Sequence, residues 1–494
     1  MKTLRFYFLF LALCVVSCKV DDRILKIEES DYPKDIEKII LAKCATSGCH
    51  NTNSNQAAAG LNLSTWDDMF VGTRSGAVII PYWHTQSSMY LFCNTYKDLG
   101  ISNIPTMPSS KNPLSREEVI TLRDWIDKGA PNANGLVKFS DYAHKSKYYV
   151  ATQGCDIINI IDPKLLVPMR YVKVGKTAQQ ESPHQIQISP DGKYWYVIFT
   201  AGTTIQKYST FDDSFIGEVT LNNGNGGGSG NWNTLVITSN GKNAFAVDWS
   251  PQGVINYLDL ENLKVLRVYN SDWLKYPHGI SLHPNGKKLY VLSQSGNAMY
   301  KINIENPLYP ELDNTISLDG NPLQWDASNA TSLNAHDIRF TPDASKYFIT
   351  CQKSNQLRVY DAISDAQLAI INVGSYPQEI VFSESTNYAF ATCTEDTVTT
   401  AKKRGTVAVL DYKNNSLVTK LYTGHQPHGI AVDDANKLVI VANRNQSDDG
   451  PAPHHTTECV GRNGNIAFIN LTTLEVLPKK IEVTVDPYYV SVKK

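Results

Sequence analysis

One short pattern recurs along the last two thirds of the chain and limits the fold more than any other feature. Each copy combines an alternating apolar strand, such as that with Ile186 and Ile188, with a turn like Pro-Asp-Gly. The clearest copies start at Pro183, Pro277 and Ala335, and weaker ones start at Asn233, Gln378 and His428. Spacings of roughly 40–58 residues are typical of four-stranded propeller blades. The pattern therefore predicts an all-β propeller.

The two ends of the repeat region predict how the ring closes. Asp486–Val492 matches the inner-strand pattern at the very end of the chain, and Tyr148–Thr152 matches a second strand at the start. The last segment is therefore expected to complete the first blade, which gives seven blades over residues 135–494. This region resembles the YVTN family of seven-bladed propellers, and the resemblance implies a fold rather than a chemistry.

Alignment of the copies on their turns places four histidines at one equivalent position, at the start of an inner strand: His184, His278, His336 and His428. We expect them to line one mouth of the central channel. Two interpretations remain open. Each imidazole either bonds a neighbouring blade, or the four together bind a second metal, a haem or an anionic substrate. A long loop in the seventh blade, Arg444–Gly464, is expected on the same face.

A second motif lies ahead of the propeller. Asp35–Lys43 has helical apolar spacing and leads directly into Cys44-Ala-Thr-Ser-Gly-Cys49-His50. Two cysteines followed by a histidine are the attachment pattern of c-type haem, in which the thiols bind the porphyrin covalently and the imidazole binds iron. Two extra residues separate the cysteines here. A zinc site with Cys, Cys and His ligands is the main alternative.

The residues downstream favour haem. The blocks, in order, are GLNLSTW from Gly60, GAVIIP from Gly76, Ile104-Pro-Thr-Met107-Pro, and LSREEVITLRDWIDKGA from Leu114. Their order resembles the short cytochrome c domains of exported planctomycete and Bacteroidetes proteins. The resemblance implies one covalent haem c in a domain at residues 31–134.

In that resemblance, Cys44 and Cys49 attach the haem, and His50 and Met107 are its axial ligands. Prolines on both sides of Met107 would hold its thioether in a rigid loop, as a ligand requires. The alternatives are that Met107 fills a gap in the core and that His84 binds the iron instead. The closing helix is expected to start at Ser115 with a capping box and to end at Gly129.

The N-terminus is typical of an exported lipoprotein. Lys2 and Arg5 precede an apolar run, Phe6–Val16, that is too short to span a membrane. The run ends in Val-Val-Ser-Cys18, which resembles a bacterial lipobox. This predicts a signal peptide at residues 1–17, a tether at 18–30, a lipid anchor on Cys18 and a cell-envelope location at the outer membrane. The alternative is a plain signal peptide.

Charge and cysteine content exclude some partners and structures. The net charge of −2 and the absence of a basic stripe argue against a nucleic-acid partner. Of nine cysteines, five remain after the signal, the lipobox and the haem motif are set aside, and an odd remainder argues against a simple disulfide framework. Cys351 and Cys393 follow equivalent strands of neighbouring copies, so we expect both to be small buried side chains.

The sequence therefore predicts a multidomain chain, a small all-α cytochrome c domain followed by an all-β seven-bladed propeller. Its expected function is electron transfer by one covalent haem, with the propeller docking an unidentified redox partner. Two alternatives remain: a cytochrome-fused oxidoreductase with its site at the His-lined mouth, and a non-catalytic binding propeller.

Overall fold

The computed structural model describes residues 29–109, 112–140, 145–224, 230–324 and 333–494. The predicted signal peptide, residues 1–17, lies outside the described residues, as do Cys18 and most of the tether. Within the described ranges, no helix is both long and apolar enough to cross a membrane.

The N-terminal part is helical. Its α-helices are α1 (Lys34–Lys43), α2 (Trp66–Val71), α3 (Ser88–Cys93) and α4 (Arg116–Asp127). Short 3₁₀ turns occupy Asn55–Ala57, His84–Gln86 and Lys97–Leu99. Helix α4 starts as predicted, because Ser115 and Glu118 form a capping box. The chain leaves α4 through Gly129, whose φ of +95° suits glycine.

Helices α1 and α4 pack against each other through their apolar faces. Ile36 and Ile40 of α1 and Val119 and Ile126 of α4 are buried in one cluster. Lys43 Nζ at the end of α1 donates to Glu118 Oε2 at the start of α4, at 2.6 Å. The first and last helices of this part therefore frame its core.

The described residues between 147 and 493 form seven four-stranded antiparallel sheets. The strands of blade one, from the channel outward, are β28 (Pro487–Lys493), β1 (Lys147–Thr152), β2 (Ile157–Asp162) and β3 (Val167–Lys173). Those of blade two are β4 (Pro183–Ile188), β5 (Tyr194–Phe199), β6 (Thr204–Ser209) and β7 (Phe215–Thr220). Those of blade three are β8 (Trp232–Ile237), β9 (Asn243–Asp248), β10 (Val254–Asp259) and β11 (Lys264–Asn270).

Blades four to seven repeat this order. Blade four contains β12 (Pro277–Leu282), β13 (Lys288–Ser293), β14 (Ala298–Asn303) and β15 (Glu311–Ser317). Blade five contains β16 (Ala335–Phe340), β17 (Lys346–Cys351), β18 (Gln356–Asp361) and β19 (Gln367–Asn372). Blade six contains β20 (Pro377–Phe382), β21 (Tyr388–Cys393), β22 (Thr406–Asp411) and β23 (Ser416–Leu421). Blade seven contains β24 (Pro427–Asp433), β25 (Leu438–Asn443), β26 (Asn463–Asn470) and β27 (Ile481–Val485).

The seven-bladed prediction and its ring closure are confirmed, because β28 pairs with β1. In each blade, burial decreases from the second strand to the outermost strand, and this gradient accounts for the repeated apolar pattern. The second strand of a blade, such as β13, is buried nearly throughout, whereas the outermost strand, such as β23, is largely exposed. Several inner strands begin with proline, which is tolerated there because the first residue of a strand need not donate a ladder hydrogen bond.

The helical part packs on blades one and seven. Ile80 is buried in one cluster with Ile157, Tyr171 and Val485 of the propeller. The ring of Trp83 meets that of Tyr171 edge-on, with centroids 6.1 Å apart.

A disulfide joins Cys155, in the turn after β1, to Cys459 in the blade-seven loop (residues 444–464). The odd remainder of five cysteines argued against a simple disulfide framework, and this single bridge was not predicted. Cys351 and Cys393 are fully buried, as predicted.

Candidate functional site

The loop after α1 brings the predicted haem-attachment residues together. The backbone N–H of His50 donates to the Cys44 carbonyl at 3.1 Å, and that of Cys49 donates to the Thr46 carbonyl at 3.0 Å. Gly48 takes a φ of +80°, and apart from its two chain neighbours no described residue has an atom within 4 Å of the position that a Cβ would occupy there. The two extra residues therefore form an outward turn that leaves both cysteines close to the histidine.

The His50 side chain is half-buried. Its Nδ1 is buried and has no hydrogen-bond partner among the residues the structure describes. Burial lowers the pKa of His50, and the nearby carbonyls of Leu61 and Ala58 oppose that shift. The imidazole is therefore neutral at pH 7, which is the form that binds a metal.

Met107 lies half-buried against the same core as Cys44. Its N–H donates to the Phe92 carbonyl at 2.8 Å, and the peptide bonds before Pro105 and Pro108 are both cis. Cys93, at the end of α3, is close enough to Cys44 to be affected by its charge, and burial is the main reason why the pKa of the Cys93 thiol is raised.

His84 has a different environment. Its Nδ1 lies 2.8 Å from the Asp127 carboxylate of α4, and its ring packs edge-on against Tyr90. The His84 ring is therefore already engaged by an acidic partner and an aromatic neighbour.

The four propeller histidines meet at the channel axis, as the alignment predicted. Together with Tyr488 they form a closed ring of five aromatic side chains, which we call the histidine ring. Its centroid separations are 5.9 Å for His184–His278, 4.2 Å for His278–His336, 5.7 Å for His336–His428, 3.7 Å for His428–Tyr488 and 4.5 Å for Tyr488–His184. The imidazoles therefore pack on one another.

Hydrogen bonds tie this ring to the backbone of neighbouring blades. His278 Nδ1 donates to the His336 carbonyl and His428 Nδ1 to the Tyr488 carbonyl, each at 3.0 Å. Gln153 Nε2 lies 2.9 Å from His184 Nδ1. Burial lowers the pKa of each of the four imidazoles, that of His278 to about 4, so the ring is neutral at pH 7. Two of the four histidines thus link adjacent blades through the backbone, whereas Nδ1 of His336 is buried and has no hydrogen-bond partner among the described residues.

A charged cluster deeper in the channel was not predicted. Arg339 Nε donates to Asp337 at 3.1 Å and Arg339 Nη2 donates to Tyr489 Oη at 3.0 Å, with Glu379 at 3.5 Å. Burial and the neighbouring Asp337 raise the pKa of Glu379. Arg339, Glu379 and Tyr489 line a cavity of about 620 Å³. The alternation of Asp337 and Arg339 on one inner strand was the available signal.

None of the side-chain clusters described above groups a set of ligands around a metal-sized space, as far as the structure describes the chain. Across the described ranges, no three His, Cys, Asp or Glu side chains are grouped so that they could hold a metal ion.

Comparison with known proteins gives a family and a fold. The model of the family described as "Lactonase, 7-bladed beta-propeller" matches residues 200–468. No curated protein matches the sequence. Among solved structures, hydrazine synthase of Kuenenia stuttgartiensis is 14% identical, with a TM-score of 0.48 over 65% of this chain and 92% of that one.

Two further structures have somewhat higher TM-scores. A protein of unknown function from Desulfotomaculum acetoxidans DSM 771 has a TM-score of 0.53 at 12% identity, over 70% of this chain and 98% of that one. A candidate 6-phosphogluconolactonase from Bacteroides uniformis ATCC 8492 has a TM-score of 0.51 at 12% identity, over 70% and 99%. These two likenesses show the propeller fold. Because the family match covers more than half of its length, this chain belongs to the seven-bladed β-propeller lactonase family.

Proposed function

We propose that this protein is an exported, lipid-anchored c-type cytochrome that carries one covalent haem for electron transfer and uses its propeller to dock a redox partner. Residues 31–134 form the haem domain in this proposal, and residues 135–494 form the propeller. One observation supports it most. The loop after α1 holds Cys44 and Cys49 beside His50, a neutral imidazole with a buried, unpartnered Nδ1 among the described residues.

The residues present fit a haem by their chemistry. His50 and Met107 would bind the haem iron, and Cys44 and Cys49 would attach the porphyrin covalently. A haem bound there supplies reversible one-electron transfer, at a potential that a thioether ligand raises. The protein contributes the fixed loop after α1 and the Pro-bracketed Met107, whose N–H is bound to Phe92.

Export and anchoring complete the proposal. Residues 1–17 would be removed, Cys18 lipidated, and residues 18–30 would tether the protein to the outer membrane. Cys18→Ser should shift the protein from the membrane fraction to the soluble fraction. Persistence of the variant in the membrane fraction would contradict a lipid anchor.

The deciding experiment is quantification of haem by pyridine haemochrome together with metal analysis of the same purified, full-length sample. One haem per chain is expected after expression with haem-attachment machinery. Cys44→Ser with Cys49→Ser should give colourless protein, whereas the control Cys351→Ala should keep the haem. Colourless wild-type protein with one zinc per chain would refute the proposal and favour the zinc alternative.

Met107→Ala tests the second axial position. Loss of the thioether should lower the reduction potential and open the sixth coordination position, because methionine opposite histidine raises the potential. Redox titration with optical detection measures both effects. An unchanged spectrum and potential would exclude Met107 as a ligand.

A second candidate function is an oxidoreductase with its site at the channel mouth, favoured by the meeting of four imidazoles there. His278→Ala with His336→Ala should leave the haem domain intact under both candidate functions. The double variant should abolish catalytic turnover only if the protein is an oxidoreductase with its site at the channel mouth. A second metal or chromophore in the purified protein would favour it. A haem that undergoes no redox change would instead favour a non-catalytic binding propeller.

A further inference from the structure

The blade-seven loop reaches the segment of the helical part that ends in Met107, which we call the Met107 segment (residues 91–107). The N–H and Oγ1 of Thr456 both donate to Asn103 Oδ1, at 3.3 and 2.9 Å. The ring of His454 packs edge-on against that of Phe92, with centroids 5.2 Å apart. The propeller therefore touches this segment at two points.

Both contacted residues also take part in the hydrogen bonds that close the Met107 segment on itself. The Phe92 carbonyl accepts from the Met107 N–H at 2.8 Å, and the Asn103 N–H donates to the Leu91 carbonyl at 2.8 Å. These two bonds bring the end of the segment back to its start. A displacement of Phe92 therefore reaches the backbone of Met107 through one hydrogen bond, and a displacement of Asn103 reaches it along the four residues that join them.

The loop that makes these contacts is itself held firmly. The Glu482 carboxylate of β27 accepts from the backbone N–H of His454 at 2.8 Å and from Asn463 Nδ2 at 3.0 Å. The disulfide with Cys155 fixes Cys459 three residues beyond Thr456. The loop can thus serve as a rigid support.

The start of the loop is anchored at the histidine ring. Arg444 donates to both oxygens of Asp486, at 2.6 and 2.9 Å, and its guanidinium lies over the Tyr488 ring at 4.7 Å. The backbone from Arg444 to Thr456 therefore connects the channel mouth to the Met107 segment.

We propose that Thr456 and His454 of the propeller are positioning residues for Met107, so that the blade-seven loop holds the axial thioether in place and keeps the reduction potential high. This inference rests on the haem function proposed above. It assigns the propeller a part in tuning the redox centre, in addition to docking a partner.

The test compares two adjacent threonines in the full-length protein. Thr456→Ala removes the hydroxyl that binds Asn103, whereas the control Thr457→Ala removes a buried hydroxyl that has no hydrogen-bond partner among the described residues. Amide hydrogen exchange of residues 91–107 is measured without haem, and the reduction potential is measured with haem. Thr456→Ser should behave as wild type.

Thr456→Ala is expected to raise exchange at Met107 and Asn103 about fivefold, since a hydrogen bond contributes about 1 kcal/mol. It should also lower the potential, and Thr457→Ala should change neither quantity. If haem is bound but the two variants match in exchange and potential, the positioning role is refuted. If no haem binds, the proposed function fails instead, while the exchange data still decide whether the loop holds the segment.

Discussion

At the scale of single residues, the histidine ring shows how a repeated position becomes a structural centre. Each imidazole is buried at the channel axis, and two of them donate through Nδ1 to a carbonyl of another blade. Such bonds require a proton on Nδ1. Protonation would place several positive charges within about 6 Å of one another, at a cost that burial increases.

The ring therefore predicts a loss of stability in acid. The pKa of His278 is lowered to about 4 in the folded protein, whereas an unfolded histidine titrates near 6.5. The unfolded chain binds more protons between these values, so stability falls as the pH drops from 6.5 to 4, by about 3 kcal/mol for His278 alone. Urea unfolding at pH 7 and pH 4.5 should show a smaller drop for His278→Gln than for the wild type. His283→Gln, outside the ring, should keep the full drop.

Individual residues differ in how far the sequence could predict them. The four histidines were predictable because each lies at the start of an inner strand, the same distance ahead of the turn in its own copy. The cluster of Arg339 with Glu379 was not, because its side chains come from different blades and the repeat does not show which of them meet. The buried, unpartnered Nδ1 of His50 also depends on how the loop folds back against Leu61, which the motif does not encode.

At the scale of elements, blades are joined by polar contacts in their interfaces as well as by apolar packing. Lys147 of β1 donates to Asp213 Oδ2 at 3.0 Å and to the Thr210 carbonyl at 2.7 Å, and both charged side chains are fully buried. Tyr149 Oη donates to the other oxygen of Asp213 at 2.8 Å. These bonds link blade one to the turn between β6 and β7.

Removal of one charge from this pair should be strongly destabilising. Lys147→Met leaves the Asp213 carboxylate buried without its cation, which costs about 3–5 kcal/mol. The double variant Lys147→Met with Asp213→Asn should recover much of that loss, because no charge then remains buried. Urea unfolding of the single and double variants measures the difference. A single variant as stable as wild type would show that the pair is dispensable.

The disulfide marks the limit of prediction at this scale. Cys155 and Cys459 are 304 residues apart, and they meet because ring closure places blade seven beside blade one. The repeat predicts that neighbourhood, but it does not predict the path of the long loop that carries Cys459. The bounds of the inner strands, by contrast, follow closely from the Pro and Pro-Asp-Gly positions.

At the scale of the whole molecule, the last strand of the chain closes the propeller, because it joins blade one to blade seven. Strand β28 supplies the inner strand of blade one, and Val490 is buried with Tyr148 of blade one and with Ile440 and Phe468 of blade seven. The two ends of the propeller are held together by this strand and its packing, with the disulfide at the rim.

Val490→Asp should therefore open the ring. A carboxylate in this cluster has no partner and costs about 3 kcal/mol or more, which is a large share of the stability of a typical domain. The matched control is Val418→Asp on β23, where the side chain is 46% exposed and the same change should cost less than about 1 kcal/mol. Because blades one and seven lose their shared core, the first variant should also unfold in a broader transition, measured by urea titration with circular dichroism. Equal midpoints for the two variants would show that closure by β28 does not control the stability of the propeller.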